Sequence, residues 1–161
     1  MSDLARGLLT VFDQSFKFKR LVRLAMGEKN LGNIDPNVFR EPFPLVGKGV
    51  RMVNLRVEPF LKGETEEMVV ARLLQARHVL ESTGDLVGFL LNHPKEVEKW
   101  NWVFAAGRQK AWWHKASPSF KDDKRITGAS VVGNYRRLWR CFHPGLQYDG
   151  PCGVLVSSPA K

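Results

Sequence analysis

Residues 129–142 read Ala-Ser-Val-Val-Gly-Asn-Tyr-Arg-Arg-Leu-Trp-Arg-Cys-Phe. Two runs of β-branched and aromatic side chains, Ala129 to Val132 and Tyr135 to Phe142, flank Gly133-Asn134. That pair suits a tight turn, so the stretch predicts two antiparallel strands. Along the second strand the period of two puts Arg136, Leu138 and Arg140 on one face. Tyr135, Arg137, Trp139 and Cys141 fall on the other, so neither face is purely basic. Trp102 to Ala106, Ala111 to Lys115 and Gly153 to Ser157 are similar short runs, separated by Gly, Pro, Asn and Asp. Together they predict a small, mostly antiparallel sheet in the C-terminal half.

Upstream of Pro94 the spacing changes. Leu8, Val11, Phe18, Val22 and Ala25 recur at intervals of three, four or seven, which predicts helix over 3–13 and 20–26. Phe16 to Lys19 alternates like a strand, and residues 14–19 stay open between the two readings. Residues 27–49 hold four Gly and three Pro. They read as a loop anchored by Ile34, Val38, Phe39, Phe43 and Leu45. Val50 to Val57 alternates, with Arg51, Val53, Leu55 and Val57 on one side and Asn54 and Arg56 on the other. This predicts a half-buried strand ended by Pro59. Thr65 is placed to cap a helix with Glu66 and Glu67 in its first turn and an apolar stripe of Val69, Leu73, Ala76 and Leu80. Gly84 is expected to end that helix in the left-handed conformation. Asp85 is expected to cap a second helix, Leu86 to Leu91, ended by Pro94. The helix–Gly–helix join resembles a helix-turn-helix connection. The expected core contains Val53, Leu55, Leu73, Leu80, Leu86, Leu90, Val103 and Val154.

The chain has 161 residues, which predicts one domain over 1–161 with a helical segment, 1–27, at its periphery. At 43% apolar and 25% charged residues the composition excludes wholesale disorder. Two cysteines exclude a disulfide-rich secreted scaffold. Asp3, Arg6 and Asp13 interrupt the pattern of a secretory leader, and no stretch nears the ~20 apolar residues of a membrane span. The expectation is a cytoplasmic protein with reduced thiols. The formal charge is +9. Residues 101–161 carry ten basic and three acidic side chains and four of the five Trp.

Most site chemistries find no pattern. Neither G-x-x-x-x-G-K-[ST] nor G-x-G-x-x-G occurs, and Gly47-Lys48-Gly49 precedes a strand rather than a helix. Cys141, His143, Cys152 and His114 can be drawn as a zinc site, but lack the C-x2-C and H-x3-5-H spacings. Cys141 with His143 or His114 could form a thiol–imidazole pair, but two Cys and four His produce such pairs by chance, and no G-x-S-x-G is present. Glu64, Glu66 and Glu67 sit at a helix start, and Asp122-Asp123 among basic residues, so neither group requires a catalytic role. No cofactor, metal or catalytic residue is assigned. The remaining signal is the interleaving of basic and aromatic residues. Arg108, Lys110, Trp112, Trp113, Lys115, Lys121, Lys124, Arg125, Arg136, Arg137 and Arg140 form a candidate polyanion-binding set, cations for phosphates and rings for bases.

Ile34-Asp35, Phe43-Pro44, the Gly47–Gly49 turn, Glu66 to Leu74, Leu86 to Leu91, Val103 to Gly107, Trp139 and Val154 to Val156 follow one another in an order that resembles a family of short, uncharacterised bacterial proteins of candidate-phylum type. The resemblance implies a single folded bacterial domain and carries no activity or site residues with it. The sequence reading is therefore an α+β domain, with N-terminal helices and one strand ahead of the C-terminal sheet. Its expected role is a basic, non-enzymatic binding module for an anionic partner such as nucleic acid. The alternative is a protein–protein interaction or oligomerisation domain that uses the N-terminal amphipathic helix.

Overall fold

The sequence-predicted turn at Gly133-Asn134 joins two antiparallel strands, with Val132 opposite Tyr135 and Gly133 at φ 58°. The structure, a computed structural model, describes residues 7–41, 44–107, 126–142, 147–148 and 150–157; at 141 and 142 only the backbone is described. In chain order the elements are β1 (Leu8–Asp13), α1 (Phe18–Met26), 3-10 helices at Glu28–Asn33 and Pro36–Arg40, β2 (Val50–Pro59), α2 (Glu66–Gln75) and β3 (Val79–Leu80). There follow α3 (Thr83–Asn92), α4 (Pro94–Glu98), β4 (Trp102–Ala105), β5 (Ile126–Val132), β6 (Tyr135–Phe142) and β7 (Cys152–Ser157). The strands form a curled half-barrel in the order β1-β2-β7-β4-β5-β6, with β3 also paired to β7.

The α+β class stands, but the expected arrangement needs correction. The sheet is mixed, because β4 and β7 run parallel, with Val103 opposite Gly153. It also draws β1 and β2 from the first sixty residues, so it is not confined to the C-terminal half. Turn residues report local hairpins; they carry no information about where a distant strand such as β7 inserts. The helix expected over 3–13 is also replaced, since Leu8–Asp13 is a strand. Thr10 and Phe12 are buried while Leu9 and Val11 are exposed, the period of a strand with one face on the core. The Leu8–Val11 spacing fits both periods, and pairing with β2 decides between them.

Between α2 and α3 the correction is local. The chain reverses at Arg77, whose φ is 63°, and passes through β3 before α3. Gly84 lies inside α3 and ends no helix; its N–H donates to the Pro44 carbonyl at 2.8 Å. The cap of α3 is Ser82, whose hydroxyl accepts from the Asp85 N–H at 3.2 Å, so the join is not a helix-turn-helix connection. Pro94 both follows α3 and opens α4. Thr65 caps α2 as the sequence predicts.

The main core forms around α3, which is buried on all sides from Thr83 to Leu90. A helix that is apolar all round belongs in a protein's interior. It packs against α1, β1, β4 and β5. A Cβ at Gly88 would fall 2.3 Å from the Phe12 ring, so glycine is what allows β1 this close. β1 and α1 contribute Phe12, Leu21, Val22, Ala25 and Met26 to this core. Of the expected core residues, Leu55, Leu73, Leu86, Leu90, Val103 and Val154 are fully buried, while Val53 and Leu80 are partly covered.

Side chains close both ends of the sheet. At β1, Asn92 accepts from the Val11 N–H at 3.2 Å and donates to the Val11 carbonyl at 2.9 Å. At β6, Asn30 accepts from the Arg136 N–H and donates to the Asn134 carbonyl, both at 3.0 Å. Asp35 adds a backbone bond to the Leu138 carbonyl at 2.8 Å and a carboxylate bond to the Arg140 N–H at 3.0 Å. Pairing groups that would recruit another strand are thus occupied.

Candidate nucleic-acid interface

β6 separates its side chains as the period of two demands. Leu138 is fully buried on the inner face with Arg136 and Arg140. Tyr135 and Trp139 stand 50% and 41% exposed on the outer face, with Arg137 between them. Across the ladder these three residues oppose Val132, Gly128 and Ser130 of β5, respectively Tyr135, Trp139 and Arg137. Gly128 and Ser130 are both buried. The Arg137 guanidinium carbon lies 4.7 Å from the Trp102 ring centre on β4 and 5.9 Å from that of Tyr135. Planar guanidinium over aromatic faces is a favourable cation–π arrangement.

Beside this stack is a cavity of about 470 Å³ lined by Trp100, Trp102, Ser130, Arg137 and Tyr148, with Glu98, Asn101, Val131 and Val132 completing the wall. The Arg137 Nε and the Trp100 indole nitrogen are buried without hydrogen-bond partners. Over β4 and β7 the outer face is covered, since Phe60 and Tyr148 pack on Phe104 with ring centres 5.8 and 4.9 Å away. Over β5 and β6, Val132, Tyr135 and Trp139 are exposed, while Gly128 and Ser130 are buried.

The three described arginines of the candidate set are divided. Arg136 donates from its guanidinium to the Ala25 carbonyl in the last turn of α1, where the helix dipole favours a cation. Arg140 is 3% exposed and ion-paired to Glu41 at 2.8 Å. The same Glu41 oxygen accepts from Thr83 at 2.6 Å and Thr127 at 3.1 Å. Only Arg137 presents its charge to the open face. Arg108, Lys110, Trp112, Trp113, Lys115, Lys121, Lys124 and Arg125 lie outside the described residues, as do His114 and His143. Cys152 is buried. Among the described residues no three His, Cys, Asp or Glu side chains cluster as metal ligands.

A second polar cluster was not singled out by sequence. Arg51 enters from β2, donating from Nε to Asp85 at 2.6 Å and from one Nη to both Asp85 and Glu81 at 3.3 Å. The Ser157 hydroxyl of β7 donates to Glu81, and that of Ser82 to Asp85 at 2.9 Å. Two buried carboxyl groups thus share one guanidinium. Burial, and then the hydrogen bond to Asp85, push the Glu81 carboxyl up to about 7, against the opposing pull of Ser157 and Arg51. Arg51 on the inward side of an alternating strand was the available signal, because a buried guanidinium requires a carboxylate nearby.

Set against family models, curated proteins and solved structures, the chain matches none. Among the described residues no helix is long and apolar enough to cross a membrane.

Proposed function

We propose that the chain is a small non-enzymatic binding module whose open β5–β6 face takes single-stranded nucleic acid. The observation that carries this reading is Arg137 held between Trp102 and Tyr135 beside an exposed Trp139. Rings on an open sheet stack on bases of any sequence, and a cation among them meets the backbone. The formal charge of +9 favours a polyanionic partner over a neutral one. A short fluorescent oligonucleotide titrated with the protein should bind with affinity that falls with salt, at a log–log slope near −0.7 for each phosphate neutralised. Trp139→Ala should cost about 1–3 kcal/mol for the base it stacks on. No binding to single-stranded DNA or RNA at about 50 mM salt, where the phosphate contribution is large, would overturn the reading.

One observation favours a second reading, an interaction between protein chains. The outer faces of β1 and β2 expose Leu9, Val11, Val50 and Met52 side by side, Met52 at 65%. This patch replaces the N-terminal helix of the alternative, whose residues 8–13 are strand and whose apolar face in α1 is buried. Sedimentation separates the readings: a monomeric mass supports the nucleic-acid module, and a dimer abolished by Met52→Lys supports the second.

A further inference from the structure

α1 is held by Leu21, Val22, Ala25 and Met26, all buried in the main core. Its opposite side is therefore fixed in place. That side and the residue before it carry Lys17, Lys19, Arg20 and Arg23, all exposed. No acidic residue lies within α1, and none of these four cations forms an ion pair with a described residue. The dipole accounts for Arg23 in the last turn but not for Lys19 and Arg20, which occupy the first turn, where it favours anions. Aromatic rings support two of them: the Arg20 guanidinium lies 4.4 Å from the Phe16 ring centre, and the Lys19 ammonium 5.9 Å from that of Phe39. α1 also lies across the sheet from the open face, since Arg136 reaches its last turn from the inner side of β6 while Arg137 points outward.

We infer that the exposed face of α1 is a second docking surface, taking the phosphate backbone of the nucleic acid without reading its bases. This rests on the nucleic-acid reading above. The charge complementarity is specific in kind: cations at 19, 20 and 23 share one helical face, flanked by Leu24 and the Phe16 and Phe39 rings, with no carboxylate or amide side chain among them. Bases stack on the outer sheet face, and phosphates are gathered on the helix behind it.

The test compares two variants of the full chain. Lys19→Glu/Arg20→Glu/Arg23→Glu should lower affinity for a single strand and make the salt slope shallower by about 2, at roughly 0.7 for each of three phosphates. Trp139→Ala should lower affinity and leave the slope unchanged. If the Glu variant does not fold, Lys19→Gln/Arg20→Gln/Arg23→Gln tests the same loss of charge. An unchanged slope and affinity in the charge variants, while the wild type binds and Trp139→Ala weakens it, would overturn the helix inference and leave the sheet reading standing. Loss in the charge variants with none in Trp139→Ala would support the helix face and overturn the sheet face. No binding by the wild type would overturn both. Wild-type binding to vesicles of anionic phospholipid, lost in the charge variants while nucleic-acid affinity is unchanged, would assign the helix to a membrane surface and overturn the inference.

Discussion

The two faces of β6 carry the same residue type and use it in opposite ways. On the inner face Arg136 and Arg140 are taken up by a helix carbonyl and a partly buried carboxylate. On the outer face Arg137 is stacked on rings and turned toward an open surface. A count of basic residues treats the three alike. Their partners show that a positive charge becomes available to a ligand only where the protein has not already neutralised it. The Arg51, Glu81 and Asp85 cluster belongs with the inner kind, charges consumed in holding elements together.

The largest expected effect breaks the inner side. Arg140→Met removes the cation 2.8 Å from Glu41 and should cost about 3–5 kcal/mol in a denaturant titration. A loss below about 1 kcal/mol would place Arg140 with the weak surface pairs. The next effect needs only a change of pH. Glu81 holds its proton in the folded chain up to about 7, while the unfolded group releases it near 4.5. The folded state therefore binds more protons in that window. Stability should be greatest below about 4.5 and decline as pH rises to about 7, by on the order of 3 kcal/mol. Glu81→Gln should flatten that decline, and an equal slope in both proteins would remove Glu81 as its source. Asn30→Ala uncaps the β6 edge and should cost about 1–3 kcal/mol, with faster amide exchange at Arg136. The smallest effect sharpens the contrast: Arg137→Ala should cost about 1 kcal/mol or less in stability, because its ring contacts are partly exposed. A loss as large as that of Arg140→Met would erase the distinction between the faces.

Particular residues show how much of this was legible in the sequence. The alternation along Tyr135 to Cys141 separates Arg137 from Arg136 and Arg140, because a strand's period is fixed by its backbone. The neutralising partners were not legible: Arg136 meets a carbonyl 111 residues earlier in the chain, and no local pattern encodes such a contact. β1 was misread because Leu8 and Val11 satisfy a helical spacing, while the deciding factor was pairing with β2. Gly84 was given the role of a helix stop, whereas Arg77 makes that reversal in a conformation uncommon for its residue type. In the candidate site Arg137 was named from sequence. Trp100 and Tyr148, which help line the cavity beside it, became visible only once β4 and the segment before β7 lay next to each other.

β7 is the last described strand in chain order, yet it lies in the middle of the sheet, between β2 and β4. During synthesis β1 and β2 can pair early, and β4, β5 and β6 can form their own ladder. Among the described strands, β7 alone joins the two pieces into one sheet, pairing β2 on one side and β4 on the other. A topology that waits on a distant strand folds slowly, and its halves expose unpaired edges in the meantime. A chain stopped before Cys152 would thus hold two half-sheets with no seam, however well each had formed.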